Sequence, residues 1–90
     1  MLDFDYIEWD DDDDPSGNVQ HIAAAGLTPE EVEEILYSPE ANPDISHTGR
    51  PAVFGWSGSG KYVIVVYELT RENNVTVIHP RTAYEVDPPF

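Results

Sequence analysis

Several stretches of this chain carry residue types that can do chemistry. Asp10–Asp14 is an unbroken run of five carboxylates, and clustered carboxylates suit hard cations such as calcium. Asp12-x-Asp14-x-Ser16-Gly17 matches the opening of an EF-hand loop, but Ala23 stands where that loop needs its bidentate glutamate. The run therefore reads as a solvated acidic turn or as a patch for a basic partner. Gly55-Trp-Ser-Gly-Ser-Gly60-Lys61-Tyr62 is one residue short of a phosphate-binding loop. That motif needs Ser or Thr after the lysine and a helix starting there. Tyr62 occupies the hydroxyl position and a β-rich run follows, which excludes an ATP or GTP site and predicts a Gly/Ser hairpin. Glu30, Glu31, Glu33 and Glu34 pair carboxylates as acid–base sites do. They fall in the first turns of an expected helix, where the macrodipole favours negative charge and water solvates the rest. His21 lies beside an apolar stripe and reads as a surface or satisfied histidine rather than a ligand. Asn74-Val75-Thr76 fits a glycosylation sequon, with no sign of secretion to give it use.

The elements that must position these groups are organised around Lys61–Leu69, a run crowded with Tyr, Val and Ile. Both of its faces are mostly apolar: Tyr62, Ile64 and Val66 with Glu68 on one, Val63, Val65, Tyr67 and Leu69 on the other. A strand of this kind is covered on both sides and central to its sheet. A first strand is expected over residues 3–9. A short helix is expected over residues 15–25, capped by Asp14 or Ser16, stopped at Gly26, and burying Val19, Ile22 and Ala23. Thr28-Pro29-Glu30-Glu31 is a capping box with Pro at N1, and Leu27 with Val32 forms a hydrophobic staple. The helix it starts presents Val32, Ile35 and Leu36 on one face and ends at Ser38-Pro39. A polar connection follows over residues 39–51, then a strand over 52–56, the hairpin and the central strand. Thr70–Asn74 reads as a turn and Val75–His79 as a fourth strand that Pro80 stops. Arg81–Val86 reads as a short turn or helix, and Asp87–Phe90 as a frayed end. The order β-α-α-β-β-β predicts a single α+β domain over residues 1–90, with two helices from the N-terminal half packed on a mainly antiparallel four-stranded sheet.

Ninety residues suffice for a modest core. Cysteine is absent, which removes disulfides, thiolate nucleophiles and Cys-ligated metals. No apolar run approaches the length of a membrane span and the N-terminus is acidic, so a cytoplasmic protein without membrane contact is expected. Net charge is −14. Residues 1–45 carry no Lys or Arg, whereas Arg50, Lys61, Arg71 and Arg81 balance Glu68, Glu72, Glu85 and Asp87 in the second half. The first half repels a nucleic-acid backbone and attracts basic partners; the second can gather its few cations in one place.

The order of elements and several short signatures together resemble the BrnT-type toxins of the wider RelE/ParE-like group. Trp9-Asp10 resembles the family's W-D. Gly26-Leu27-Thr28-Pro29-Glu30-Glu31-Val32 is similar to G-V-S-x-E-E-A, and Ser38-Pro39 to D-P. Arg50, five residues before Gly55, fits the arginine of E-R-x-x-x-x-G, and Gly60-Lys61 through Tyr67 fits G-R-x-L-x-V-V-Y. Val77-Ile78-His79-Pro80-Arg81-Thr82-Ala83 is similar to I-I-S-A-R-x-A. The resemblance spans residues 6–86. It implies a metal-independent endoribonuclease without cofactor, neutralised by a basic DNA-binding antitoxin. It further implies that Arg50 and Arg81 serve the RNA phosphate, with His79, where the family has Ser, able to act as acid or base. The chain departs from the pattern where the family's Lys and His become Ala24 and Ala25, and where a fourth-strand arginine becomes Thr76.

Three readings of function follow. The chain is a toxin-like endoribonuclease using Arg50, Arg81 and His79. Alternatively, it is a catalytically silent relative that binds a basic partner through its acidic half. In the third reading the arginines simply pair with Glu68, Glu72, Glu85 and Asp87. Their placement discriminates: convergence on an open cleft away from the acidic helices favours RNA, whereas arginines that sit apart or in ion pairs do not.

Overall fold

The computed structural model describes residues 2–89. Five strands form one mixed sheet in the order β1-β5-β4-β3-β2, and two helices lie on one of its faces. The elements are β1 (Tyr6–Ile7), α1 (Asn18–Ala24), α2 (Pro29–Leu36), β2 (Asp44–Ile45), β3 (Pro51–Trp56), β4 (Tyr62–Glu72) and β5 (Val75–Glu85). The α+β class, the two helices and the central place of the Lys61–Leu69 run agree with the sequence reading. The strand count does not. Residues 44–45 pair antiparallel with β3 as a fifth, two-residue strand, and β1 pairs parallel with β5, so the sheet is mixed.

The sheet is also longer than expected, for two local reasons. The Thr70–Asn74 turn shrinks to Asn73-Asn74, both at positive φ (52° and 64°), and Glu72 pairs directly with Val75. This is the left-handed pair that a two-residue hairpin requires and that Asn tolerates. Pro80 does not stop β5, and Arg81–Val86 is not a turn or helix: the strand runs on through Glu85. The register slips between Val66 and Tyr67, so that Tyr67 faces Pro80, Val66 faces Thr82, and Arg81 is the extra residue of a β-bulge. A bulge is one of the few places inside a sheet that tolerates a residue without an N–H.

Parity divides the core as the central strand requires. Val63, Val65 and Tyr67 join Ile22, Leu27, Val32, Ile35, Leu36, Ile78 and Ala83 beneath the helices. Ala52, Ile64 and Val66 form a second, smaller cluster on the opposite face, flanked by Phe54, Tyr84 and Val86. No helix covers that side. Leu69, assigned by parity to the helix side, lies past the helices and is 51% exposed.

Helix α2 behaves as its signals dictate. Thr28 Oγ1 accepts from the Glu31 amide, the Glu31 side chain accepts from the Thr28 amide, and Val32, Ile35 and Leu36 are buried. It sits close to the sheet because position 55 has no side chain: a Cβ on Gly55 would lie 2.9 Å from Ile35 Cγ2. Helix α1 is shorter than expected. Its N-cap is Gly17 with no side-chain cap, since Asp14 spends its carboxylate on the backbone and hydroxyl of Ser16. Those bonds, the backbone one foremost, hold the Asp14 pKa below its usual value. Ala23 is exposed and Val19 only half-buried; the buried partner of Ile22 is instead Asn18. Phe90, expected in a frayed end, lies outside the described residues, as does Met1.

Candidate phosphate-binding face

The uncovered face of the sheet is built of rungs read straight from the register. Trp56 pairs with Tyr62; Phe54, Ile64 and Tyr84 form the next rung, and Ala52, Val66 and Thr82 the one after. Beyond these, Glu68 pairs with His79, and Arg50 reaches the Glu68 carboxylate. The face thus runs from aromatic at one end to charged at the other.

Of the three residues implied by the family resemblance, Arg50 and Arg81 meet at the charged end, both in ion pairs with Glu68, while the His79 ring turns to Glu8 and Thr70 outside their cleft. Arg50 Nη1 lies 3.4 Å from Glu68 Oε1, and Arg81 Nε lies 3.7 Å from the same oxygen. His79 is directly opposite Glu68 in the ladder. Arg81 gets there because of the bulge: an extra residue in β5 re-aims its side chain onto the face that Val66 and Thr82 share. Arg50 gets there through a tight turn. The Ser46 amide donates to the Arg50 carbonyl (2.8 Å), the Arg50 amide to Ser46 Oγ (3.1 Å), and Gly49, at φ +84°, donates to the Ser46 carbonyl.

The His79 ring is held at both nitrogens, Nδ1 to Glu8 Oε1 at 3.0 Å and Nε2 to Thr70 Oγ1 at 3.0 Å. Glu8 is carried by the end of β1, whose amide donates to the Ile78 carbonyl. Behind the bulge, Asn18 fixes this corner. Its Nδ2 donates to the carbonyls of Pro80 (2.9 Å) and Glu8 (3.1 Å), and its Oδ1 accepts from the Asp10 amide (2.8 Å). Asp10 Oδ2 accepts from the Asn18 amide in return. Part of the acidic run is therefore structural, and among the described residues no group of His, Asp and Glu is placed to hold a metal ion.

A cleft of about 420 Å³ opens beside the arginines. Val66, Thr82 and Tyr84 line it from the sheet, Arg50 and Arg81 flank it, and Ser46, His47 and Thr48 come from the turn that positions Arg50. His21 also reaches it, from α1, which lies against β5. β1 pairs with β5 only at Val77 and Ile78, leaving the Arg81–Glu85 edge uncovered by a strand. His21 and His47 were not legible as site residues: one sits on a helix, the other in a connection without periodicity. Only the topology joins them.

Lys61 is placed elsewhere. Its Nζ donates to the Gly26 carbonyl (2.9 Å) and pairs with Glu31 (3.2 Å), on the helix side of the sheet. Trp9 is similarly committed, its indole N–H donating to Glu33 at 2.8 Å. Among the described residues no helix is long and apolar enough to cross a membrane. No protein-family model, curated protein or solved structure matches this chain.

Proposed function

We propose that the chain is a BrnT-like, metal-independent endoribonuclease whose RNA phosphate lies between Arg50 and Arg81. The observation that carries this reading is the convergence of the two guanidinium groups on one cleft, on the sheet face opposite the carboxylate-rich helices. Both side chains are more than half exposed, at 56% and 57%. Their shared contact with Glu68 is long and solvated, and such pairs contribute about 0–1 kcal/mol, so an incoming phosphate can displace the carboxylate. Physiological salt screens exposed carboxylates that lie more than about 8 Å away through solvent, which weakens the repulsion from the net charge without removing it.

Cleavage without a metal needs a base to take the proton of the ribose 2′-hydroxyl as it attacks phosphorus. It also needs an acid to protonate the departing 5′-oxygen and cations to stabilise the charge on the phosphoryl oxygens. Arg50 and Arg81 supply the cations. His47 at the cleft supplies one imidazole for the proton transfers, and His79, oriented by Glu8, supplies the second once its Nε2 exchanges the Thr70 hydroxyl for the substrate. Losing one charged phosphate contact costs about 1.5–3 kcal/mol, so Arg81→Ala should lower RNA cleavage and growth arrest on expression by at least about 10-fold. Wild-type protein that neither arrests growth nor cleaves RNA, at low or physiological salt, would rule the activity out.

A second reading rests on the Glu68 carboxylate, which neutralises part of the arginine pair, and on the alanines and Thr76 that replace family cations. In it the fold is retained without catalysis and the acidic N-terminal half binds a basic protein, such as a DNA-binding antitoxin. Tight binding of such a partner by a protein with no ribonuclease activity would select this reading.

A further inference from the structure

The aromatic end of the open face has no role in phosphate chemistry, yet its rings pack against one another. Tyr62 stacks on Phe54 with ring centroids 6.1 Å apart and planes 20° from parallel, and Trp56 leans on Tyr62 at 5.0 Å and 52°. Trp56 remains 47% exposed although it is the largest side chain on the face. A groove of about 270 Å³ opens beside these rings, with Glu40 and Ser38 on its far wall. Between the rings and the arginines the rungs are Ala52, Val66, Thr82, Phe54, Ile64 and Tyr84, with no carboxylate among them. The six residues from Arg50 to Trp56 put the two ends roughly 20 Å apart along the strand.

The geometry points to a base-stacking subsite on Trp56 and Tyr62 for an unpaired nucleobase of single-stranded RNA, one strand of which spans from these rings to the phosphate held by Arg50 and Arg81. This rests on the ribonuclease reading above and adds the substrate's form to it. The chemistry of the groove selects which part of a nucleotide enters. A wall bearing a carboxylate and no cation repels a phosphate, whereas a base offers a π-face to Trp56 and exocyclic amines to Glu40. Duplex RNA keeps its bases stacked on each other and leaves none for the rings. Aromatic residues on the open face of a sheet, beside cations that track the backbone, are a general solution to binding single strands.

The test compares a short unstructured RNA with 2′-O-methyl riboses, which cannot be cleaved, against the same backbone lacking bases and against its duplex. Fluorescence anisotropy should show the intact single strand binding about 10-fold tighter than the abasic strand, and tighter than the duplex. Trp56→Ala should erase that difference while leaving abasic binding unchanged, and Trp56→Phe should keep most of it. In a Trp9→Phe background, which gives up the Trp9–Glu33 hydrogen bond but leaves the open face unaltered, the single strand should quench Trp56 emission and the abasic strand should not, a readout that keeps Trp56 in place. Equal binding of intact and abasic strands, or equal weakening of both by Trp56→Ala, overturns the subsite. Arg81→Ala separates the two ideas. If abasic binding depends on Arg81 but not on Trp56 and bases add nothing, only the stacking subsite falls. If no strand binds the wild-type protein, the ribonuclease reading falls and takes the subsite with it.

Discussion

Two turns flank β3, and they are the same turn. In Ser46-His-Thr-Gly-Arg50 and Ser57-Gly-Ser-Gly-Lys61 the first serine amide donates to the carbonyl of the fifth residue, at 2.8 and 2.9 Å. The fifth amide returns to the serine hydroxyl, at 3.1 and 3.2 Å. The first and third hydroxyls bond each other, at 3.0 and 2.8 Å, and the fourth residue is a glycine at φ +84° or +88°. This is a type I turn closed by a left-handed residue, a common three-residue hairpin connection. Each ends in a cation. Lys61 turns to the helix side, where Glu31 and the Gly26 carbonyl consume it. Arg50 turns to the open face, where it meets only an exposed carboxylate and a cleft. Identical local chemistry thus yields a structural cation in one place and a candidate binding cation in the other. What differs is the layer each faces.

Because α2 is what captures Lys61, the largest way to break the comparison is to unseat that helix. Ile35→Ala removes the side chain lying over Gly55 and should cost about 2–4 kcal/mol in a denaturant melt. Amide exchange should then accelerate more at Gly60 and Lys61 than at Gly49 and Arg50. A loss below about 1 kcal/mol would mean that α2 is not docked through this residue. A smaller effect tests whether the turns are equivalent. Gly49→Ala and Gly60→Ala each force a Cβ into left-handed backbone with no neighbour within 4 Å, so strain is the whole penalty. Both should lose about 1–2 kcal/mol, and by the same amount. Unequal losses would show that the bonds from Gly58 and Ser59 to Glu34 and Glu31, which only the second turn makes, alter what the strain costs.

The repeated turn also marks where the sequence could be read and where it could not. The start of helix α2 was legible to the residue, since its cap, Pro29 and apolar spacing are all local signals, while its end, expected at Ser38-Pro39, falls at Leu36. The Ser/Gly hairpin before Lys61 was legible for the same reason. Its twin at Ser46–Arg50 was not, because β2, the strand it joins to β3, is only two residues long and leaves no periodicity. Pro80 misled because a bulge depends on the partner strand, and no single-strand pattern shows it. Arg50 and Arg81 were singled out by resemblance alone, while their meeting over Glu68 follows from that bulge and that turn. Nothing in the sequence marks Asn18. Its burial reflects four hydrogen bonds to segments between eight and 62 positions away in the chain.

The smallest expected effect separates the two turns by charge. Glu31 sits with only 13% of its side chain exposed, and the Ser59 hydroxyl first, then Lys61 and the Thr28 amide, hold its pKa below the usual glutamate value. A carboxylate whose pKa is lower folded than unfolded stabilises the protein above its unfolded pKa, and that contribution disappears as pH falls through the folded one. Glu31→Gln tests this, because glutamine at the third helical position keeps an oxygen for the capping box while an amide nitrogen replaces the oxygen that accepts from Ser59 and faces Lys61, so the charge and that acceptor are lost together. At pH 7 the variant should be less stable than wild type by about 1 kcal/mol or less. The gap should close as the pH drops below about 4.3. Glu68→Gln, on the open face, should change stability at pH 7 by less, since its partners Arg50 and Arg81 are solvated at distances of 3.4 and 3.7 Å. A Glu31→Gln penalty that persists in acid would mean that packing around Ser59, rather than charge, holds the second turn to the helix. The contrast between the captured lysine and the available arginine would then rest on geometry alone.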